Sequence, residues 1–194
     1  MHPRAETLLE HWLGPDKDRD APANAVRQRW FAKSLENDAW LLREHGADLD
    51  SAERGEYDAW ADTPHGRLAL VILLDQLTRN LRRDSGAMFD NDGKALALAR
   101  VGVESAEDRQ LKAAERNFLY MPFMHSESLA DQERSVELFT QLAADAPTLD
   151  AVQWAVRHRD VIKRFGRFPH RNNLLDRTST PDEVLFLQQP GSAF

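Results

Sequence analysis

The chain predicts an all-α fold, an antiparallel array or bundle of about eight to ten helices. Three observations predict it. Apolar residues recur at helical spacing along most of the sequence, and strand-like alternation is nearly absent. Helix start and stop residues punctuate the chain at matching intervals. The longest apolar run, Leu68 to Leu74, has seven residues and lies inside one of these stretches. A helix that is apolar all round is buried, so a central helix is expected near residues 64–82.

Taken in order, Ala5 to Leu13 reads as a short amphipathic helix stopped by Gly14-Pro15, and the charged stretch to Ala23 as a loop. Asn24 to Lys33, carrying Trp30-Phe31, and Leu35 to His45, closed by Gly46, are the next two helices. Asp50 to Trp60 is a weaker helix, because the internal Gly55 costs about 1 kcal/mol relative to Ala. Thr63-Pro64 is a helix start, with a hydroxyl at N-cap and proline at N1, and this central helix runs to about Arg82. Further helices are expected from Ala87 to Val103 and from Asp108 to Tyr120, the latter ended by Pro122. Ser128 with Asp131 resembles a capping box opening a helix to Ala144. After the Ala146-Pro147 break, Leu149 to Phe165 forms a helix ended by Gly166. Thr180-Pro181-Asp182-Glu183 starts a last one, reaching Gln188.

The 194 residues fit a single all-helical domain, with a small N-terminal helical subregion over 1–60 as a variant of that reading. At 42% hydrophobic residues the chain can bury a core without staples, and with no cysteine it has no disulfide or thiolate chemistry. The N-terminal stretch lacks the apolar segment of a signal peptide, and no run approaches the roughly 20 apolar residues of a membrane span. These features predict a cytoplasmic protein without membrane attachment. A net charge of −7 argues against nucleic acid as a partner. The charge is uneven, however: Arg157 to Arg177 carries +5 and the remainder −12.

Polar residues embedded in apolar surroundings mark the candidate functional positions. Asp75, Gln76, Arg79 and Asn80 follow the apolar run, and Asp75–Arg79 and Gln76–Asn80 are i,i+4 pairs. They read either as a structural ion pair or as the lining of a polar pocket. His125-Ser126-Glu127 follows the bulky stretch Phe118 to Met124; His125 and Glu127 could both reach a reacting group, or else satisfy backbone groups at a turn. His158 falls on the apolar stripe Ala151, Ala155, Ile162 and Phe165, the position of a satisfied core histidine. Arg164, Arg167, His170 and Arg171 place three guanidiniums and an imidazole around one turn, where they can bind an anion or the carboxylates of their own fold. No nucleotide-binding, metalloprotease or serine-hydrolase motif is present, His158-Arg159-Asp160 lacks the rest of a kinase catalytic loop, and Asp90 to Gly93 lacks the outer ligands of a calcium loop. No metal site and no cofactor is predicted.

Three stretches, Leu74-Asp75-Gln76-Leu77-Thr78-Arg79-Asn80, Phe118 to Glu127 and Arg164 to Asn172, resemble a widespread bacterial family known as domain of unknown function 924. The resemblance extends from Trp12 and Trp30-Phe31 to Ser179-Thr180-Pro181 and Phe194. It implies an all-α fold related to tetratricopeptide-like helical arrays, and no activity. Two positions depart from the family pattern. Thr78 stands where proline is common, which removes a kink, and Leu175-Asp176-Arg177 replaces a more usual Leu-Gly-Arg.

Each polar set lies at the end of an expected core helix. Asp75, Arg79, Asn80, Tyr120, His125, Glu127, His158, Arg164, Arg167, His170 and Arg171 are therefore expected to converge on one cleft. Three functions are open to such a cleft, in this order: binding of an anionic small molecule or acidic peptide; a structural polar network without a ligand; and acid–base catalysis of a hydrolase type. In the third, His125 or His170 transfers the proton, Glu127 or Asp75 orients it, and the arginines stabilise negative charge. Trp12, Trp30, Trp40, Trp60 and Trp154 are expected in the core or at helix contacts, and the sequence leaves the oligomeric state open.

Overall fold

Every side chain from Leu68 to Leu74 is fully buried, and the other helices assemble around this run. The computed structural model describes residues 1–31 and 33–192; the Phe31 side chain and Phe194, both named above, lie outside the described residues. The helices are α1 (Pro3–Leu13), α2 (Asn24–Phe31), α3 (Leu35–Glu53), α4 (Pro64–Val71), α5 (Thr78–Leu81), α6 (Asp92–Glu104), α7 (Ala113–His125), α8 (Leu129–Asp145), α9 (Val152–Phe165) and α10 (Pro181–Leu187). Short 3-10 turns connect several of them, and there is no strand among the described residues.

The central helix begins as its sequence dictates: the Thr63 hydroxyl accepts the Gly66 N–H at 3.2 Å, and Pro64 occupies the first turn. It continues through α4 into a π-helical segment, Ile72–Leu77, and ends in α5. Loss of the family's proline at Thr78 therefore does not leave a regular α-helix. The Thr78 N–H bonds the carbonyl of Leu73, five residues back, and the Thr78 hydroxyl reaches the same oxygen at 3.4 Å. A π segment shifts the faces of the residues that follow it, and such segments recur at functional sites. Around this helix, α1 packs on α4, α3 on the π segment, and α6 and α7 flank it, while α8 bridges α7 and α9. Leu8, Leu9 and Trp12 of α1 share one core with Leu68 to Leu77 and with Phe118, Leu138 and Phe139. A second small core, Val161, Ile162 and Phe168 with Phe165 and Phe186, holds the C-terminal segment to α9.

Several boundaries differ from expectation, each for a packing reason. Gly46 does not end a helix: α3 runs through it to Glu53, because Asp48, Leu49 and Ala52 beyond it are buried. Asp50 to Trp60 is not a separate helix, since α3 ends at Glu53, Gly55 turns the chain at φ +80°, and a 3-10 turn (Asp58–Asp62) follows. Pro122 lies inside α7. The hydrogen bond it forfeits is worth less than burial of its neighbours Phe118, Leu119, Met121 and Phe123, at about 1.5–3 kcal/mol each. The Ser128–Asp131 capping box does not form; Asp131 instead accepts from Arg100 and from the Ser126 hydroxyl. The expected helix from Ala87 opens as a 3-10 turn (Gly86–Phe89) before α6, and that from Asp108 as a 3-10 turn (Glu107–Gln110) before α7. Trp154 is half exposed rather than core, with the Arg157 guanidinium over its ring. Gly166 at φ +71° and the Thr180–Glu183 capping box stand where the sequence puts them.

The second departure from the family pattern also has a backbone basis. Asp176 sits at φ +52°, the left-handed region that glycine enters without a Cβ penalty. Asp176→Gly is therefore expected to stabilise the protein by about 0.5–1 kcal/mol in urea unfolding; unchanged or lower stability would show that the Asp176 side chain compensates the strain.

Candidate polar site at the end of the central helix

The π segment places Asp75 where no water reaches it: its side chain is 0% exposed. A buried carboxylate persists only with partners, and Asp75 has three. Oδ1 faces His125 Nδ1 at 2.7 Å, with an Arg79 nitrogen at 3.6 Å, and Oδ2 accepts Gln76 Nε2 at 2.6 Å. Burial pushes the Asp75 carboxyl up, but its electrostatic interactions with His125 and Arg79 and the hydrogen bonds from His125 and Gln76 outweigh it, holding the group below the usual carboxylate range. His125 comes from the last turn of α7, so Asp75 ties the central helix to that end. The other ring nitrogen, Nε2, makes no hydrogen bond among the described residues, and the His125 side chain keeps 18% exposure.

Two guanidiniums meet on one further carboxylate. Asp92, in the first turn of α6, accepts from Arg79 at 2.7 and 3.1 Å and from Arg171 at 3.1 Å. Arg171 also donates to the His125 carbonyl at 2.8 Å, and its guanidinium carbon lies 4.5 Å from the Phe89 ring centroid and 4.6 Å from that of Phe168. Burial lowers the Arg171 pKa to about 10; Asp92 opposes this, and the neighbouring charge of Arg79 adds to it. Arg171 remains charged at neutral pH.

Imidazoles complete the cluster. The His158 ring lies 6.5 Å from that of His125 and 5.6 Å from Phe168, and its Nδ1 bonds the Trp154 carbonyl at 2.8 Å, the role of a satisfied core histidine. Burial, only partly offset by that carbonyl, depresses its pKa to about 3. His170 stands 5.5 Å from Phe168, ring to ring, and burial followed by the charge of Arg171 depresses it to about 4. Both rings are neutral near pH 7.

Asp75, Arg79, His125, His158, His170 and Arg171 thus converge. The other expected members lie in separate networks. Glu127 accepts from Arg177 at 2.8 and 3.0 Å and from the Phe168 N–H at 2.7 Å, so it anchors the C-terminal turn and does not orient His125. Arg167 forms a two-pronged pair with Glu183 at 2.7 and 2.8 Å, and Arg164 stacks on Phe165 and Phe186. Asn80 donates to Asp38, which also pairs with Arg83. Tyr120 donates to Asp108 at 2.7 Å, in a different part of the surface. The positive excess of Arg157 to Arg177 is met largely by Glu127, Asp92 and Glu183.

Sequence reasoning misses Asp92 and Phe89 at this site, and Arg177 as the partner of Glu127. Asp92 had a signal, the acidic run Asp90 to Gly93 that completes no calcium loop, but nothing in its spacing points to Arg171, 79 residues on. Elsewhere, Asp16, His65 and Glu115 bring ligand atoms within 4.8 Å of one another. Arg19, 2.8 Å from Glu115, and Lys112, on Asp16, already supply the positive charge there. No helix of the described residues is long and apolar enough to cross a membrane.

Fold and site together define an all-helical protein in which a π-helical turn buries a carboxylate against a histidine and an arginine. The chain belongs to the family described as "Bacterial protein of unknown function (DUF924)", which it matches over residues 8–191. It is similar to the solved structure of a protein of unknown function, ATU0120, from Agrobacterium tumefaciens, with a TM-score of 0.82 and 32% identity over 95% of this chain and 96% of that one. No curated protein matches the chain.

The buried imidazoles set a pH dependence. Their folded pKa values, about 3 and about 4, lie below the ordinary histidine value of 6.5, so the unfolded chain takes up protons first. Stability is therefore complete above pH 6.5 and lost as pH falls from there towards 4. Each proton contributes a slope of about 1.4 kcal/mol per pH unit. His158→Gln is expected to reduce the slope of unfolding free energy between pH 4.5 and 6 by about that amount; an unchanged slope would mean that His158 titrates normally in the fold.

Proposed function

We propose that this protein transfers a proton to or from a small anionic substrate, with His125 as the acid–base group. The observation that carries this reading is the 2.7 Å contact between His125 Nδ1 and the fully buried Asp75. A carboxylate that accepts the Nδ1 proton fixes the ring's orientation and tautomer, leaving the Nε2 lone pair for a reacting group. Asp75 is then a positioning residue and His125 the group that meets substrate. Arg171 has Asp92 as its carboxylate partner and keeps Nε without a hydrogen bond among the described residues, which supports an anionic substrate and stabilisation of charge developing in the reaction. His158 and His170, neutral at working pH, serve as hydrogen-bonding walls.

Binding of an anion without chemistry is the second reading, favoured by the same depressed Arg171. The engagement of Arg167 with Glu183 removes one expected anion contact from both readings. The two readings differ in what they require of His125, since simple binding needs no reactive nitrogen.

Carbethoxylation with diethyl pyrocarbonate, mapped by mass spectrometry at pH 7, reads the reactivity of each imidazole. His125 is expected to react at least about tenfold faster than His158, and millimolar inorganic phosphate or acetate to slow it. Modification of His125 no faster than that of His158 would remove the acid–base reading, and rapid modification unaffected by either anion would remove the anionic substrate.

A further inference from the structure

Tyr120 belongs to none of the groups just described, and its position points elsewhere. Its side chain is 1% exposed, yet its hydroxyl donates to Asp108 at 2.7 Å and accepts from Arg116 Nε at 3.3 Å. Above these groups lies an open depression of about 510 Å³, lined by Asp108, Arg109, Arg116, Gln141, Ala144 and Asp145. Its size is that of a small-metabolite site.

The lining is polarised. Arg116 is held from below by Tyr120 and from the side by Asp145 at 2.8 Å, which occupies two of its five N–H groups and fixes the direction of the rest. The side chain of Arg109, on the 3-10 turn before α7, makes no hydrogen bond or ion pair among the described residues. These two guanidiniums supply positive charge to the lining. Beside Arg116, α8 ends at Ala144 and Asp145, where the terminal carbonyls and the carboxylate supply negative charge. The formal charges balance, so neither a simple anion nor a simple cation is matched. A molecule with both charges is.

We infer that this depression is a second binding site, distinct from the His125 cluster, for a small zwitterion of the amino-acid class. The carboxylate lies against Arg109 and Arg116, and the ammonium lies at the C-terminal end of α8 beside Asp145. Arg116 is pre-oriented by the buried phenol, which explains why a tyrosine rather than a phenylalanine stands in an otherwise apolar stretch. The Tyr120 hydroxyl, its pKa pushed up to about 12 by burial and by Asp108, stays protonated and keeps this bond to Asp108 at physiological pH.

The test uses the full chain and backbone amide NMR, with a mixture of free L-amino acids at 10 mM as the first probe, then propionate and propylamine separately. Amino acids are expected to shift the amides of Arg109, Gln141 and Asp145, and the single-charge probes to do so at least about tenfold more weakly. Arg109→Ala, which removes an exposed side chain without a partner, should keep its melting temperature and lose at least about tenfold in amino-acid affinity. His125→Gln should bind amino acids unchanged. No amino-acid shift at these amides, equal shifts with propionate, or undiminished binding by the folded Arg109→Ala protein would each overturn the assignment. A loss of binding in His125→Gln would place the ligand at the other cluster and overturn it as well.

Discussion

The structure depends on one negative charge in the wrong place for a hydrophobic core. Asp75 follows seven apolar residues on the central helix and is as fully buried as they are. A lone carboxylate there would be protonated or would unfold the helix around it. It stays charged because its own helix and two other segments close on it: Arg79 from the next turn, His125 from the end of α7, and, through Arg79 and Asp92, the start of α6. The neighbouring guanidinium of Arg171 then brings in the C-terminal turn, packed between Phe89 and Phe168. The polar residues of distant segments meet here because each is needed to keep another one charged.

That interdependence revises what the basic segment is for. Read as a sequence, three guanidiniums around a turn suggest a site for an outside anion. In the fold, Arg167 and Arg171 have found Glu183 and Asp92, Arg177 has found Glu127, and Arg164 lies on aromatic faces. The segment works first as a clamp that fastens residues 165–183 onto α6, α7 and α9. Since removing one member of a buried pair costs about 3–5 kcal/mol, the buried Arg171 affects folding whatever else it does. His125 differs from these arginines in that its second nitrogen makes no hydrogen bond among the described residues.

The parts of the architecture that were readable from sequence are those encoded by local chemistry. Thr63-Pro64, Gly166 and the Thr180–Glu183 box act through their immediate neighbours, and the central helix is announced by its unbroken apolar run. Boundaries decided by tertiary burial were not readable: α3 passes through Gly46, and α7 keeps Pro122, because the packing beyond each residue outweighs its local preference. The site divides the same way. Spacing placed Asp75 and Arg79 on one face, but it could not reveal the π segment or choose Asp92 as the shared carboxylate. Asn80 and Tyr120 illustrate the limit most clearly. Both sit within motifs that contribute to the cluster, and both turn away from it, to Asp38 and Asp108, because side chains one or five residues apart on a helix face different neighbours.

The central claim is that Asp75 is buried as a carboxylate and accepts the proton of His125 Nδ1. Long-range proton–nitrogen NMR of the histidine side chains, recorded at a pH where the rings are neutral, reads that proton directly. The account predicts that His125 carries it on Nδ1, with an unprotonated Nε2. A proton on Nε2 would contradict it: the 2.7 Å contact would then require the proton to sit on Asp75, and the buried charge on which the cluster is built would not exist.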